Sequence, residues 1–139
     1  MTEGPNFREA NLDTRILIVD DSPLVRLRLR DLLQKHVNWT VCGEAANGLD
    51  ALKKVQELHP DLIVMDFLMP GMNGVQAAKE IAKLLPDIPI FMLTMHMSRQ
   101  LEEEARRAGI QGALAKTQVN RVVEGLEAVL RHEPYFGRD

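Results

Sequence analysis

Residues 15–23 have the sequence RILIVDDSP, an aliphatic and β-branched run that breaks off at two carboxylates. A short apolar run of this kind predicts a buried strand. Ser22 offers a helix N-cap, and Pro23 suits the first turn of a helix. Apolar residues then recur at helical spacing to about residue 36, at Val25, Leu29, Leu32 and Leu33. The stretch therefore predicts a strand, an acidic turn and an amphipathic helix.

The same strand-and-helix unit recurs along the chain. Strands are predicted at residues 15–20, 40–44, 62–65, 90–94 and 113–115, each followed by a helical pattern. Such alternation implies right-handed crossovers and a parallel sheet with helices on both faces. The predicted fold class is α/β, a doubly wound five-stranded parallel sheet. A closed eight-stranded barrel is excluded because it needs about 250 residues and the chain has 139.

Length and composition indicate one domain in a reducing compartment. We predict an N-terminal tail at 1–14, the domain at 15–132, and a C-terminal tail or linker at 133–139.

The 17 Lys and Arg against 20 Asp and Glu give a net charge of −3, which argues against a nucleic-acid surface. The single cysteine, Cys42, excludes an internal disulfide and a cysteine-rich zinc site. With no apolar run long enough for a membrane span, we expect a cytoplasmic protein.

Polar residues collect where the predicted strands end. Asp20 and Asp21 follow the first strand, Asp66 the third, Thr94 the fourth and Lys116 the fifth. Ligands of open parallel sheets bind at these carboxyl ends. If the first and third strands are neighbours, as in the flavodoxin-like order 2-1-3-4-5, the three carboxylates converge, and their repulsion favours a hard divalent cation, Mg²⁺ first. Lys116 and Thr94 add a cation and a hydroxyl suited to phosphoryl oxygens.

Each of these residues also has a simpler interpretation. An aspartate at the end of a strand often caps the next helix. Thr94 alone fits an ordinary β-branched strand residue, and Lys116 alone fits a solvated terminus. The hypothesis of a site depends on all five residues occurring together and in order.

Together these residues resemble the receiver domain of bacterial two-component response regulators, over about residues 15–132. The resemblance rests on Asp20, Asp21 and Ser22 after the first strand and on the sequence DFLMPGMNG at residues 66–74. Thr94 at the end of the fourth strand and Lys116 at the end of the fifth complete it.

The resemblance implies a role for each residue. Asp66 is expected to accept the phosphoryl group, as carboxylate nucleophiles do in other phosphotransfer proteins. Asp20, Asp21, Asp66 and the main-chain carbonyl of Leu68 are expected to bind Mg²⁺. Thr94 and Lys116 are expected to contact the phosphoryl oxygens.

The resemblance also implies partners. A sensor histidine kinase is the expected phosphodonor. The face made by strand 5 and by the helices that follow strands 4 and 5, here called helix 4 and helix 5, is expected to bind an output domain, a target protein or a second copy. We expect no enzymatic activity beyond self-catalysed phosphorylation and dephosphorylation, and no direct binding of nucleic acid or membrane. Residues 131–136, RHEPYF, resemble receivers that precede a helix-turn-helix domain. Between a stand-alone receiver and one from a longer transcription regulator, we favour the latter.

The sequence departs from the family at several positions near the site. Ala113 stands where receivers usually have an aromatic residue, so we predict that the signal travels through movement of helix 4 or that output is weakly coupled to phosphorylation. Leu68 and His96 occupy positions that tune the lifetime of the acyl phosphate, and we expect His96 to affect it. Met95 is bulkier than the usual residue and is expected to narrow the access of small phosphodonors.

Three other classes of protein share parts of this pattern. A dehalogenase-type phosphatase needs an acid two residues after the nucleophile, and position 68 is Leu. A flavodoxin-like cofactor binder is disfavoured because Asp20 and Asp21 would repel a flavin phosphate, and the sequence has no P-loop motif. A receiver-fold module that binds partners without phosphorylation remains as the alternative, supported by Ala113 alone.

Overall fold

The computed structural model describes residues 13–137, which fold into one parallel sheet with helices on both faces. The strands are β1 (Thr14–Val19), β2 (Trp39–Ala45), β3 (Leu62–Asp66), β4 (Ile90–Thr94), β5 (Gly112–Ala115) and β6 (Tyr135–Phe136). The helices are α1 (Pro23–Gln34), α2 (Gly48–Leu58), α3 (Gly74–Leu84), α4 (Arg99–Arg107) and α5 (Val122–Leu130), and a 3-10 helix covers Lys116–Arg121.

The sheet has the order β2-β1-β3-β4-β5-β6, and every pair of neighbours is parallel. The predicted α/β class and the order 2-1-3-4-5 are confirmed. Because β1 and β3 are neighbours, the residues that follow them meet at one edge of the sheet.

Two hydrophobic cores cover the sheet. Val55 of α2, Ile81 of α3 and Ala105 of α4 are fully buried on one face, whereas Leu33 of α1 and Leu126 of α5 are fully buried on the other. The predicted N-cap Ser22 is confirmed, since its side chain accepts a hydrogen bond from a main-chain amide in the first turn of α1. Asn47 and Ser98 cap α2 and α4 in the same way.

The sixth strand lies in the segment that the sequence predicted as a tail or linker. Tyr135 pairs with Gly112 and Phe136 with Ala113 of β5. A strand of two residues is too short for an alternating pattern, and this explains why the sequence did not indicate it. The predicted N-terminal tail lies outside the described residues up to residue 12, as do residues 138–139.

Candidate functional site

Three carboxylates converge at the carboxyl ends of β1 and β3. One side-chain oxygen from each of Asp20, Asp21 and Asp66 lies within 4.8 Å of the other two. Asp20 is only 1% exposed and Asp66 only 4%, while Asp21 is exposed. The sequence predicted that these residues meet, and the topology brings them together. Their oxygen atoms are the hard ligands that Mg²⁺ prefers.

Lys116 bridges the two buried carboxylates. Its Nζ lies 3.1 Å from Oδ2 of Asp20 and 3.1 Å from Oδ1 of Asp66. Desolvation acts to lower the pKa of Lys116, but the hydrogen bonds and charges of the two aspartates outweigh it and raise this pKa above its usual value. The lysine is therefore a firmly protonated partner for the acidic cluster.

The carboxyl group of Asp66 lies in an environment that opposes its ionisation. Burial is the main cause that raises the pKa of Asp66 above its usual value, and the negative charge of Asp20 adds to this effect. Lys116 acts in the opposite direction and reverses only part of the shift. An additional cation near Asp66 would therefore stabilise the ionised, nucleophilic form.

The sheet register places Thr94 beside the same cluster. Leu93 of β4 pairs with Asp66, and Thr94 itself pairs with Ala115, the residue before Lys116. Thr94 is 5% exposed. Its Oγ1 lies 3.3 Å from the main-chain oxygen of His96 and accepts from the His96 amide at 3.4 Å. The hydroxyl is thus tied to the segment that leads into α4.

A cleft of about 500 Å³ opens over these groups. It is lined by Asp21, Asp66, Leu68, Met69, Pro70, Met95 and Lys116. The side chains of Leu68 and Met95 are about 70% exposed, so apolar atoms form part of the rim. The position of Met95 agrees with the prediction that it narrows the access of small donors, which stays a prediction.

Gly74 allows α3 to begin directly against the backbone of Asp66. A Cβ atom at position 74 would lie 2.6 Å from the carbonyl oxygen of Asp66 and 3.0 Å from Cα of Phe67. Gly71 has a φ of +81°, a left-handed conformation that glycine adopts without strain. Gly74 has a different role, because it provides space rather than a left-handed conformation.

Ala113, the residue that departs from the family pattern, is fully buried in β5. Its strand partner is Phe136, which packs against the same core, and the guanidinium carbon of Arg106 lies 4.0 Å from the centre of the Phe136 ring. An aromatic side chain is therefore present beside position 113, but it comes from β6. The sequence did not predict this contact.

Sequence reasoning also missed Arg26, which contacts the backbone of the acidic cluster. Its Nη1 donates a 2.7 Å hydrogen bond to the main-chain oxygen of Asp20. A signal for this contact exists in the sequence. An arginine in the first turn of a helix faces the positive end of the helix dipole, so it needs a specific acceptor.

A parallel sheet in this strand order, with three carboxylates, a lysine and a threonine at one edge, is the arrangement of a signalling domain of the receiver type. The profile of the response regulator receiver domain family matches residues 16–127. The chain belongs to this family. It is a receiver module of two-component signalling, and receiver domains bind Mg²⁺ through such an acidic cluster.

Relatives and solved structures agree. The chemotaxis protein CheY of Thermotoga maritima is 41% identical over 116 residues, which are 83% of this chain and 96% of that protein. The response regulator UvrY of Escherichia coli is 35% identical over 89% of this chain and 57% of its own length. The crystal structure of a LuxR-family two-component response regulator from Aurantimonas sp. SI85-9A1 superposes with a TM-score of 0.85 and is 31% identical, covering 88% of this chain and 89% of that one.

The relatives differ in how much of their length the match includes. The chain spans nearly all of the chemotaxis protein but little more than half of the UvrY regulator. Within residues 13–137, no helix has the length and hydrophobicity that crossing a membrane requires.

Proposed function

We propose that Asp66 accepts a phosphoryl group from a sensor histidine kinase and that phosphorylation switches a surface for protein binding. The observation that carries the proposal is the bridge of Lys116 between Asp20 and Asp66, together with the open cleft that Asp66 and Lys116 line. A buried carboxylate beside a fixed cation can act as a nucleophile, and the cation then balances the negative charge of the phosphorylated product.

In the proposed reaction, a side-chain oxygen of Asp66 forms the bond to phosphorus while the bond from phosphorus to the donor nitrogen breaks. The electron pair leaves with the imidazole of the donor histidine, which takes up a proton. Lys116 and the Thr94 hydroxyl hold the phosphoryl oxygens by charge and hydrogen bonding. Slow hydrolysis of the acyl phosphate returns the domain to its starting state, so the chemistry serves signalling rather than turnover.

The acidic cluster fits a magnesium ion. We assign Asp20, Asp21, Asp66 and the main-chain carbonyl of Leu68 as the protein ligands, an all-oxygen set with three negative charges. When bound, the ion supplies positive charge that favours the ionised form of Asp66 and neutralises phosphoryl oxygens. The raised pKa of Asp66, caused first by burial and then by Asp20, supports a need for this charge.

The proposed output is control of transcription through a helix-turn-helix domain outside this chain. The response regulator relatives that are longer than the match support this, since the chain spans about half of their length. The surface of α4, β5 and α5 is the proposed contact for the output domain, for a target protein or for a second copy of the chain. A cytoplasmic location fits this role.

Mass spectrometry of the intact protein tests the central step. The wild type is incubated with a small phosphodonor in Mg²⁺ or in EDTA, beside Asp66→Asn. We expect one phosphoryl adduct that needs Mg²⁺, is released by hydroxylamine and is missing from Asp66→Asn. If neither an adduct nor binding of beryllofluoride is detected, the domain is a partner-binding module and the proposal is wrong.

A further inference from the structure

Each polar atom of Asp20 is held by a different part of the fold. Its amide donates to the carbonyl oxygen of Ala45 at 3.0 Å, which extends the β1–β2 ladder into the turn. Oδ1 accepts from the amide of Ser22 at 2.9 Å, and Oδ2 faces Lys116 at 3.1 Å. The carbonyl oxygen accepts from Nη1 of Arg26 at 2.7 Å. Arg26 is therefore the side chain that fixes the main chain where the acidic turn begins.

Arg26 is itself fixed by an ion pair. Its Nε donates to Oε1 of Glu44 at 2.9 Å, and the second oxygen of Glu44 accepts from Nε of Arg30 at 2.8 Å. Nζ of Lys54 donates to the carbonyl oxygen of Glu44 at 2.7 Å. Because Glu44 lies near the end of β2, the network connects the second strand with the turn after the first.

Charge explains why Arg26 and Arg30 both bind the carboxylate of Glu44. Burial acts to raise the pKa of Glu44, but the hydrogen bonds and charges of Arg30 and Arg26 outweigh it and hold this pKa below its usual value. The side chains of Arg26 and Glu44 are 18% and 28% exposed, so solvent screens the pair only in part. Glu44 also offsets the unfavourable position of Arg26 at the positive end of α1.

We propose that Arg26, oriented by Glu44, is a positioning residue that fixes the turn after β1 and thereby sets the affinity of the acidic cluster for Mg²⁺. The inference rests on the proposed function, because it concerns the metal site described there. Arg26 donates to the main-chain oxygen of Asp20, whereas the carboxylate oxygens of Asp20 contact the Ser22 amide and Lys116. Residues that orient metal ligands in this way typically change metal affinity about 10- to 100-fold when they are replaced.

Arg26→Met and Arg30→Met form a matched pair for the test. Both remove a guanidinium that binds Glu44, but only Arg26 also donates to Asp20. We titrate the whole chain with Mg²⁺ alone in a calorimeter. Arg26→Met is expected to weaken Mg²⁺ binding by about tenfold, and Arg30→Met by less than about twofold. Wild-type affinity in Arg26→Met, or an equal loss in both variants, would overturn the inference.

Thermal unfolding separates positioning from a structural role. At one Mg²⁺ concentration, a ligand stabilises the folded state by an amount that depends on its dissociation constant. A purely structural role of Arg26 lowers the melting temperature equally in EDTA and in Mg²⁺, whereas a positioning role reduces the increase that Mg²⁺ produces. Arg26→Lys, which keeps the positive charge and one donor nitrogen, is expected to recover part of this increase.

Glu44→Gln provides a second variant if Arg26→Met does not fold. It keeps an acceptor for Arg26 but removes the charge, and we expect Mg²⁺ binding to weaken by about threefold. Unchanged affinity in Glu44→Gln would overturn the role of Glu44. The two proposals fail in different ways. If the wild type binds no Mg²⁺, both proposals are contradicted. If the wild type and Arg26→Met bind Mg²⁺ with equal affinity, only the positioning role is contradicted.

Discussion

The ammonium nitrogen of Lys116 lies 3.1 Å from Oδ1 of Asp66, across the edge of the sheet where β3 and β5 end. The pKa of each partner is raised, that of Asp66 chiefly by burial and that of Lys116 because its two carboxylate neighbours outweigh desolvation. The lysine compensates the buried acids only in part. The net charge of the site therefore affects the unfolding free energy of the domain, and unfolding measurements can detect changes in that charge.

Asp66→Asn is expected to stabilise the folded domain when no metal is present. Because the pKa of Asp66 is raised on folding, the folded state holds this proton more tightly than the unfolded state. Stability then falls as pH rises from the usual carboxyl range through the raised pKa, and it stays lower at neutral pH. In EDTA at neutral pH, the variant should gain on the order of 1 kcal/mol in unfolding free energy.

Urea denaturation across the acidic to neutral range measures this effect. The decline with pH should be smaller in Asp66→Asn than in the wild type. Asp31→Asn, which changes an exposed carboxylate on α1, is the control and should leave the profile unchanged. An Asp66→Asn protein that is less stable than the wild type at neutral pH would contradict the prediction.

Lys116→Met is expected to destabilise the domain in EDTA by about 2 to 4 kcal/mol, because it leaves two buried carboxylates without their cation. Addition of Mg²⁺ should recover much of the loss. Lys83→Met is the matched control, since Lys83 also lies 3.1 Å from a carboxylate, that of Glu80, but both side chains are well exposed. Its effect should stay below about 0.5 kcal/mol. Equal losses in the two variants, measured by chemical denaturation, would show that burial does not matter here.

Gly74→Ala is expected to slow phosphorylation and to lower stability by about 1 to 3 kcal/mol, because the new methyl group would displace the backbone of Asp66. Gly109→Ala is the comparison. Its φ of +90° makes alanine unfavourable, but no atom lies within 4 Å of the added Cβ. Both variants should lose stability in thermal unfolding, and only Gly74→Ala should accumulate adduct more slowly in the mass measurement. Normal phosphorylation kinetics in Gly74→Ala would mean that the start of α3 shifts to accommodate the methyl group and leaves Asp66 in place.

Most of the fold was predictable because β1, β3, β4 and β5 are short, mainly apolar runs that end at a polar residue or are followed by one. Five runs alternating with amphipathic helices leave few topologies for a chain of this length. The strand β6 was not predictable in the same way. Tyr135 and Phe136 are held by tertiary contacts, such as the 2.7 Å hydrogen bond from Arg121 to the Tyr135 hydroxyl, and these have no local pattern in the sequence.

The acidic cluster was predictable for a similar reason, since Asp20, Asp21 and Asp66 occupy strand ends that the predicted strand order makes adjacent. Arg26 was not predicted. Its place in the first turn of α1 indicates that it is unfavourable without an acceptor. The acceptors themselves are Asp20 and Glu44, and both lie outside α1, so the sequence of the helix alone does not identify them.

Beryllofluoride is expected to change the amide chemical shifts of residues 100–107, in α4. Thr94 is bonded to the main chain of His96, which leads into this helix, and Ala113 has no ring that could carry the movement instead. Arg106 of α4 in turn stacks on Phe136 of β6, so the shifts should extend to residues 135–137. NMR of the labelled wild type, with Phe136→Leu to remove the stacked ring, follows both steps. In Phe136→Leu the changes in α4 should remain while those at 135–137 shrink. If residues 100–107 keep their shifts while partner binding still changes, the signal does not travel through α4.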